Sequence, residues 1–261
     1  MKKLKVFLLI AFSFCMACTS EIKFDKKEEP IPPDNPAISD LIISELATFI
    51  NTDATAGGKR NGYIELYNGT DKSLDLSNYA IGYQASTDEK TLVEWSFTNS
   101  ANVLLLTGIV DAEKTYVIAS PQADPSVVPS DQLWGTTSTA NADASKPLQL
   151  SGNSAIALLK KDAAGTYLIA DELYKIIDVF GAPNVSRVTS TGSSSSRNNL
   201  MWPTAGENDD TRNRTFWRKN TVTEPNSNWE LSRGTNALDS EWILSLERKW
   251  DYSNIGKFTN I

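Results

Sequence analysis

The stretch that most constrains the fold is Tyr63–Asn68, YIELYN, followed by GTDKSLDLSNYAIGY. Its side chains alternate, with Ile64 and Leu66 on one face and Tyr63, Glu65 and Tyr67 on the other, which predicts a half-buried β-strand. Asn68-Gly69 and Thr70-Asp71 supply turn chemistry, because glycine accepts positive φ and short polar side chains bond their own backbone. Leu74, Leu76, Tyr79 and Ile81 then resume the apolar pattern beyond the turn.

The same unit, a short apolar run bounded by Gly, Pro, Asn, Asp or Ser, recurs along the chain. Strands are predicted at Leu41 to Leu46, Tyr63 to Asn68, Tyr79 to Gln84, Thr91 to Phe97 and Thr115 to Ala119. Further strands are predicted at Ala155 to Lys160, Ile176 to Phe180, Thr215 to Lys219 and Glu241 to Ser245. Beyond the amino end no segment keeps helical spacing for three turns, so the fold class is all-β and the architecture a sandwich. The gaps Pro121 to Lys146 and Gly181 to Asn213 exceed ordinary hairpin loops and are expected to be insertions. The Ser/Thr-rich tract Arg187 to Asn199 is expected to be mobile.

The run IELYNGTDKSLDLSNYAI resembles the opening strands of the lamin-tail domain. GNSAIALLKKDAAGTYLIADELYKIIDVFG is similar to that family's central hairpin and the strand after it, ending in an aspartate and a glycine. TFWRKNTVTEPNSNWELS, DSEWI and DYSNIGKFT are similar to the closing strands and terminal turn of bacterial members. The resemblance implies an immunoglobulin-like β-sandwich with long loop insertions, forming one domain over 38–261. It also implies a tether or interaction role, since members are proposed to act so, frequently beside catalytic domains.

The amino end has a different character. Lys2, Lys3 and Lys5 precede the apolar run VFLLIAFSF, which has the proportions of a secretory signal and is too short to span a bilayer comfortably. CMACTS resembles a bacterial lipobox, with Ala17 before Cys18 and Cys15 where Leu is usual. Residues 1–17 are therefore expected to be a lipoprotein signal peptide and Cys18 the lipidated residue. Two or three acyl chains there would anchor the chain stably, each buried methylene contributing about 0.8 kcal/mol. TSEIKFDKKEEPIPPDNP is charged and proline-rich, so 18–37 is expected to be a disordered tether. Its acidic and lysine-rich residues loosely resemble the surface-export signals of Bacteroidota lipoproteins. With cleavage before Cys18, no disulfide is expected.

Loss of the signal removes three of the 25 basic residues and leaves 22 against 32 acidic ones, a net charge of −10. An evenly acidic surface repels phosphate backbones, and nucleic acid is not expected as a partner. The chain has no histidine, which removes Ser-His-Asp and Cys-His schemes and the commonest zinc ligand. A hydrolase would have to rest on paired carboxylates, whose pairing one sequence does not give. Glu207, Asp209 and Asp210 lack the spacing of a calcium loop and read as a solvated acidic turn. No catalytic residue, metal site or cofactor is assigned.

Glu65 stands out because a carboxylate among strand aromatics needs solvent or a partner. A structural role is expected, with Arg218 as the plausible counter-ion. Trp95, Trp217 and Trp242 lie in strand-like runs and read as core, whereas Trp134 and Trp202 lie in the long insertions and are the candidates for ligand binding. Together these readings predict a non-enzymatic interaction or adhesion module, lipid-anchored at the outer membrane and facing the cell surface. It would bind an envelope protein or a glycan through its loops. The alternatives are a structural subunit of an envelope assembly and, third, a carboxylate-dependent hydrolase.

Overall fold

The computed structural model describes residues 37–48, 60–85, 92–135, 148, 154–185, 188–189, 200–207, 214–246 and 249–259. They belong to one compact unit, Pro33–Ile261. The strands are β1 Leu41–Ala47, β2 Tyr63–Asn68, β3 Leu74–Asp75, β4 Tyr79–Ala85, β5 Val103–Leu105, β6 Ile109–Val110, β7 Lys114–Ala119 and β8 Gln132–Leu133. They continue as β9 Ser154–Lys161, β10 Tyr167–Ile169, β11 Glu172–Phe180, β12 Val188–Thr189, β13 Leu200–Met201, β14 Thr215–Arg218 and β15 Trp242–Leu244, with one short helix, α1 Trp229–Arg233.

Two sheets form the sandwich. The first runs β15-β14-β1-β2-β7-β8 and the second β10-β11-β9-β4-β5. Every pairing within them is antiparallel except β7 with β8. Ile43, Leu46, Ile64, Leu66 and Ile118 of the first sheet share a core cluster with Ile81, Ile156, Leu158 and Val179 of the second. Burial of such side chains at about 25 cal/mol per Å² is what holds the layers together.

The alternation predicted in YIELYN is present, but the strand is buried on both faces rather than half-buried. Ile64 and Leu66 point into the intersheet core, while Tyr63 and Tyr67 belong to separate clusters on the other side. Residues 249–259 cover that side. Tyr252 lies 6.0 Å from Tyr63, Phe258 stacks on Tyr67 at 4.2 Å, and Trp250 Nε1 donates to the Thr48 carbonyl at 2.9 Å.

The turn after β2 works differently from its expected mechanism. Gly69 does not take positive φ; it is small because a Cβ there would lie 2.7 Å from the Ile38 side chain. Asn68 does the turning. Its Nδ2 donates to the carbonyls of Lys72, Val110 and Asp111, and its Oδ1 accepts from the Thr70 N–H and hydroxyl.

Residues 92–97 form no strand, in contrast to the predicted Thr91 to Phe97, and Thr91 lies outside the described residues. The start of the Ser/Thr-rich tract is ordered into a ribbon, with Val188–Thr189 paired to Leu200–Met201. Residues 1–36, including the expected signal segment, Cys18 and nearly all of the expected tether, lie outside the described residues.

Candidate functional site

A cleft beside the second sheet combines aromatic surface with convergent polar groups, and its construction begins on β4. A Cβ on Gly82 would sit 2.2 Å from the Phe97 ring, so only glycine lets Phe97 lie directly on the strand. Gln84 falls on the same strand face. Its Nε2 donates to the Glu94 carbonyl at 3.0 Å and its Oε1 accepts from the Ser96 N–H at 2.8 Å. One side-chain amide thus satisfies the backbone on either side of Trp95, where a neighbouring strand would otherwise do so. The Val93 N–H also donates to the Pro183 carbonyl at 3.2 Å.

Held this way, Trp95 stacks on Phe97 with centroids 5.6 Å apart and planes 25° apart, and Phe97 meets the edge of Tyr167 at 5.0 Å. Trp95 is half-buried rather than a core residue as its strand-like run suggested. Trp95, Tyr167, Ile176, Val185 and Trp229 line a cleft of about 540 Å³, within the roughly 300–1,000 Å³ of small-ligand sites. Glu94, Lys175, Asn184, Ser227, Asn228 and Glu230 also border it.

The polar groups there are unequal. Lys175 is committed to Asp162, Nζ to Oδ2 at 2.6 Å, and Asn228 Oδ1 caps α1 by accepting from the Glu230 and Leu231 N–H groups. Among the described residues, the exposed side chains of Glu94, Asn184 and Glu230 make no hydrogen bond or ion pair. Burial first, and then the Glu94 carboxylate, push the Tyr167 hydroxyl up. Chemically the arrangement offers a flat apolar platform and hydrogen-bonding groups at its edge.

The family model of the lamin tail domain matches residues 34–175. The chain belongs to the lamin tail domain family. Its immunoglobulin-like sandwich is completed by segments beyond the matched stretch, since β14, β15, α1 and residues 249–259 all follow it. A DUF4876 family protein from Bacteroides thetaiotaomicron is similar at 13% identity and a TM-score of 0.38, over 81% of this chain and 69% of that one. No curated protein matches the chain.

This lamin tail domain places the other singled-out residues away from the cleft. Trp134 and Trp202, the loop aromatics expected to bind ligand, are 6% and 2% exposed and belong to the main core. Trp202 Nε1 donates to the Ser154 carbonyl at 3.0 Å, and its ring fills the space over Gly181, where a Cβ would come within 2.5 Å of Nε1. Gly181 has φ +75°, so that position calls for glycine twice over. The described parts of the insertions around Trp134 and Trp202 pack back onto the core, which removes both tryptophans from the set of surface candidates.

Arg218 is not the counter-ion of Glu65. Its Nη1 lies 3.1 Å from each Asp178 oxygen and its Nη2 2.7 Å from Glu241 Oε2. Glu65 instead stands directly across the strands from Glu45, both fully buried. The Glu65 carboxyl accepts from the Ser44 hydroxyl at 2.8 Å and the Gly256 N–H at 2.6 Å. Glu45 accepts from the Tyr63 hydroxyl and from Asn254 Nδ2 at 3.2 Å. Burial pushes Glu45 up to about 7, and burial together with the Glu45 charge pushes Glu65 up to about 8. A raised carboxyl pair often marks an active site. Here both groups are fully buried, with Asn254 and Gly256 of residues 249–259 bonded to them, so the pair is read as acting on stability.

Glu207 of the expected acidic turn pairs with Arg214 at 2.6 Å, while Asp209 and Asp210 lie outside the described residues. Among the described residues no group of His, Cys, Asp or Glu is arranged to hold a metal. Sequence reasoning missed Trp95 because alternation in VEWSF imitates a strand. The signal that could have found it is Gly82 with Gln84, a bare strand position followed on the same face by an amide.

Proposed function

We propose that this lamin tail domain is a non-catalytic interaction module of a bacterial envelope lipoprotein, anchored through Cys18 at the outer membrane and engaging its partner through the Trp95 cleft. The observation that carries the reading is that cleft, where a half-buried tryptophan is fixed by a dedicated amide clamp beside polar side chains that are unpaired among the described residues. Trp95 both packs against the main core cluster and lines the cleft, a placement that suits recognition. Loops on a rigid scaffold are where such folds carry function. The anchor, the 18–37 tether and the surface position rest on the lipobox-like CMACTS and on the composition that follows it.

The test is protease shaving of intact cells making the wild type or Cys18→Ala, with fatty-acid labelling of both. The expected result is a labelled wild type digested in whole cells and an unlabelled variant that is not retained on them. A wild type that is protected until the outer membrane is opened would overturn the surface placement.

Assembly within an envelope complex is the second reading. It is favoured by a groove of about 410 Å³ with Phe97, Leu105 and Leu168 on its walls, of which Leu105 and Leu168 are exposed. Co-purification at fixed stoichiometry that is lost on Leu168→Asp, with Trp95 intact, would select it.

A further inference from the structure

We infer that the occupant of the Trp95 cleft is a neutral oligosaccharide, an inference that rests on the cleft being the binding site proposed above. A sugar ring has one face of C–H groups and a perimeter of hydroxyls, and the cleft is built as the complement of that. Trp95 supplies a broad aromatic plane, stiffened from behind by Phe97 and, through it, Tyr167. Large rigid aromatics anchor ligands at low entropic cost, having few torsions to freeze.

Hydroxyl groups need both donors and acceptors, and the border has both. Asn184 offers an amide, and the carboxylates of Glu94 and Glu230 offer acceptors, none of them committed through its side chain to a hydrogen bond or ion pair among the described residues. Trp229, another lining residue, is buried, and its Nε1 has no acceptor among the described residues. Groups of this kind are satisfied by a polar ligand or by water.

Charge selects among saccharides. Among the described residues the one cation lining the cleft, Lys175, is neutralised by Asp162 at 2.6 Å, while Glu94 and Glu230 are exposed carboxylates. A sulfated or uronic-acid glycan would bring like charge against them, with no uncommitted cation in the lining among the described residues to compensate. A neutral sugar meets no such barrier, and its binding would depend little on salt.

The experiment is calorimetric titration of the full chain with cellohexaose, maltohexaose and xylohexaose, with a heparin-derived hexasaccharide as the anionic probe. The variants are Trp95→Phe, which keeps an aromatic on Phe97, and Asn184→Ala. Expected is binding of at least one neutral hexasaccharide that is insensitive to 0.5 M salt, weakened roughly tenfold or more by Trp95→Phe and several-fold by Asn184→Ala, with unchanged melts. Binding of the heparin fragment alone, or neutral binding untouched by both variants, would overturn the inference. If no probe binds but an envelope protein associates in a manner lost on Trp95→Phe, the glycan class fails and the interaction module stands. If neither occurs, both fail.

Discussion

Arg218 reaches both oxygens of Asp178 from one nitrogen, at 3.1 Å each, and so joins β14 of the first sheet to β11 of the second. The Asp178 carboxylate also accepts the Ile43 N–H at 2.8 Å and the Asn226 N–H at 3.0 Å. Register shifts at Ile43/Glu45 in β1 and Ile176/Asp178 in β11 fall where this bridge crosses. Burial alone pushes the Asp178 carboxyl up, and the guanidinium and the two backbone donors oppose it. Both side chains are fully buried, so removing one strands the other's charge, at a cost of roughly 3–5 kcal/mol. Asp178→Ala and Arg218→Met are each expected to lose about that much in urea unfolding, and Asp178→Leu with Arg218→Met to lose less than the sum of the two, the Ile43 and Asn226 N–H groups and Glu241 remaining without these partners. A single loss below about 1 kcal/mol would show that the sheets hold without the bridge.

Stability should fall as pH rises across neutrality. Burial raises Glu45 and Glu65 to about 7 and about 8 from the ordinary glutamate value of 4.5. The folded state therefore keeps protons that the unfolded chain has already released, and the stabilisation, full below about pH 4.5, is lost as pH passes through 7 to 8. Asp251 beside Glu45 and Asp131 beside Glu65 add negative charge in the same direction. A decline on the order of a few kcal/mol between pH 5 and pH 8.5 is expected, shallower in Glu65→Gln. Hydrogen exchange at the Gly256 N–H should quicken over the same window; a flat stability profile would remove the paired-acid account.

Trp202 is expected to behave as a core residue. Trp202→Ala should cost about 3–5 kcal/mol, as large aromatic truncations in cores do, and Gly181→Ala should destabilise through both its φ and the clash with the same ring. Thermal melts read both, and a normal melt for Trp202→Ala would return that residue to the surface candidates.

Gln84→Ala tests the clamp. The variant removes two hydrogen bonds to the 92–97 segment but no core contact, so unfolding stability should drop by no more than about 1–2 kcal/mol. Protection of the Ser96 N–H should fall sharply. Full protection in the variant would mean the segment is held by other contacts.

The sandwich was legible because its longer strands carry apolar residues at a period of two, as in IELYN and SAIALL, and because turn residues bound them. Strands of two or three residues, such as Ile109–Val110 and Tyr167–Ile169, are too short to show a period. The prediction of a strand at VEWSF was reasonable from its pattern. It failed because an extended backbone can be satisfied by one glutamine side chain instead of a ladder. Glu65 showed its need for a partner, but not that the partner would be a backbone N–H at Gly256, 191 residues away. Trp134 and Trp202 looked like loop residues because insertions are read from length, and length does not say whether a loop turns outward or back.

The cover over β2 also sets a schedule for folding. Asn254 meets Glu45 across 209 residues of sequence, and Trp250 meets Thr48 across 202. Until residues 249–259 are in place, Tyr63, Tyr67 and two buried acids face water. Contacts of such separation form late and close slowly. The domain therefore stays open, with one sheet face bare, while the greater part of the chain emerges, and it closes only once its carboxyl-terminal stretch is free.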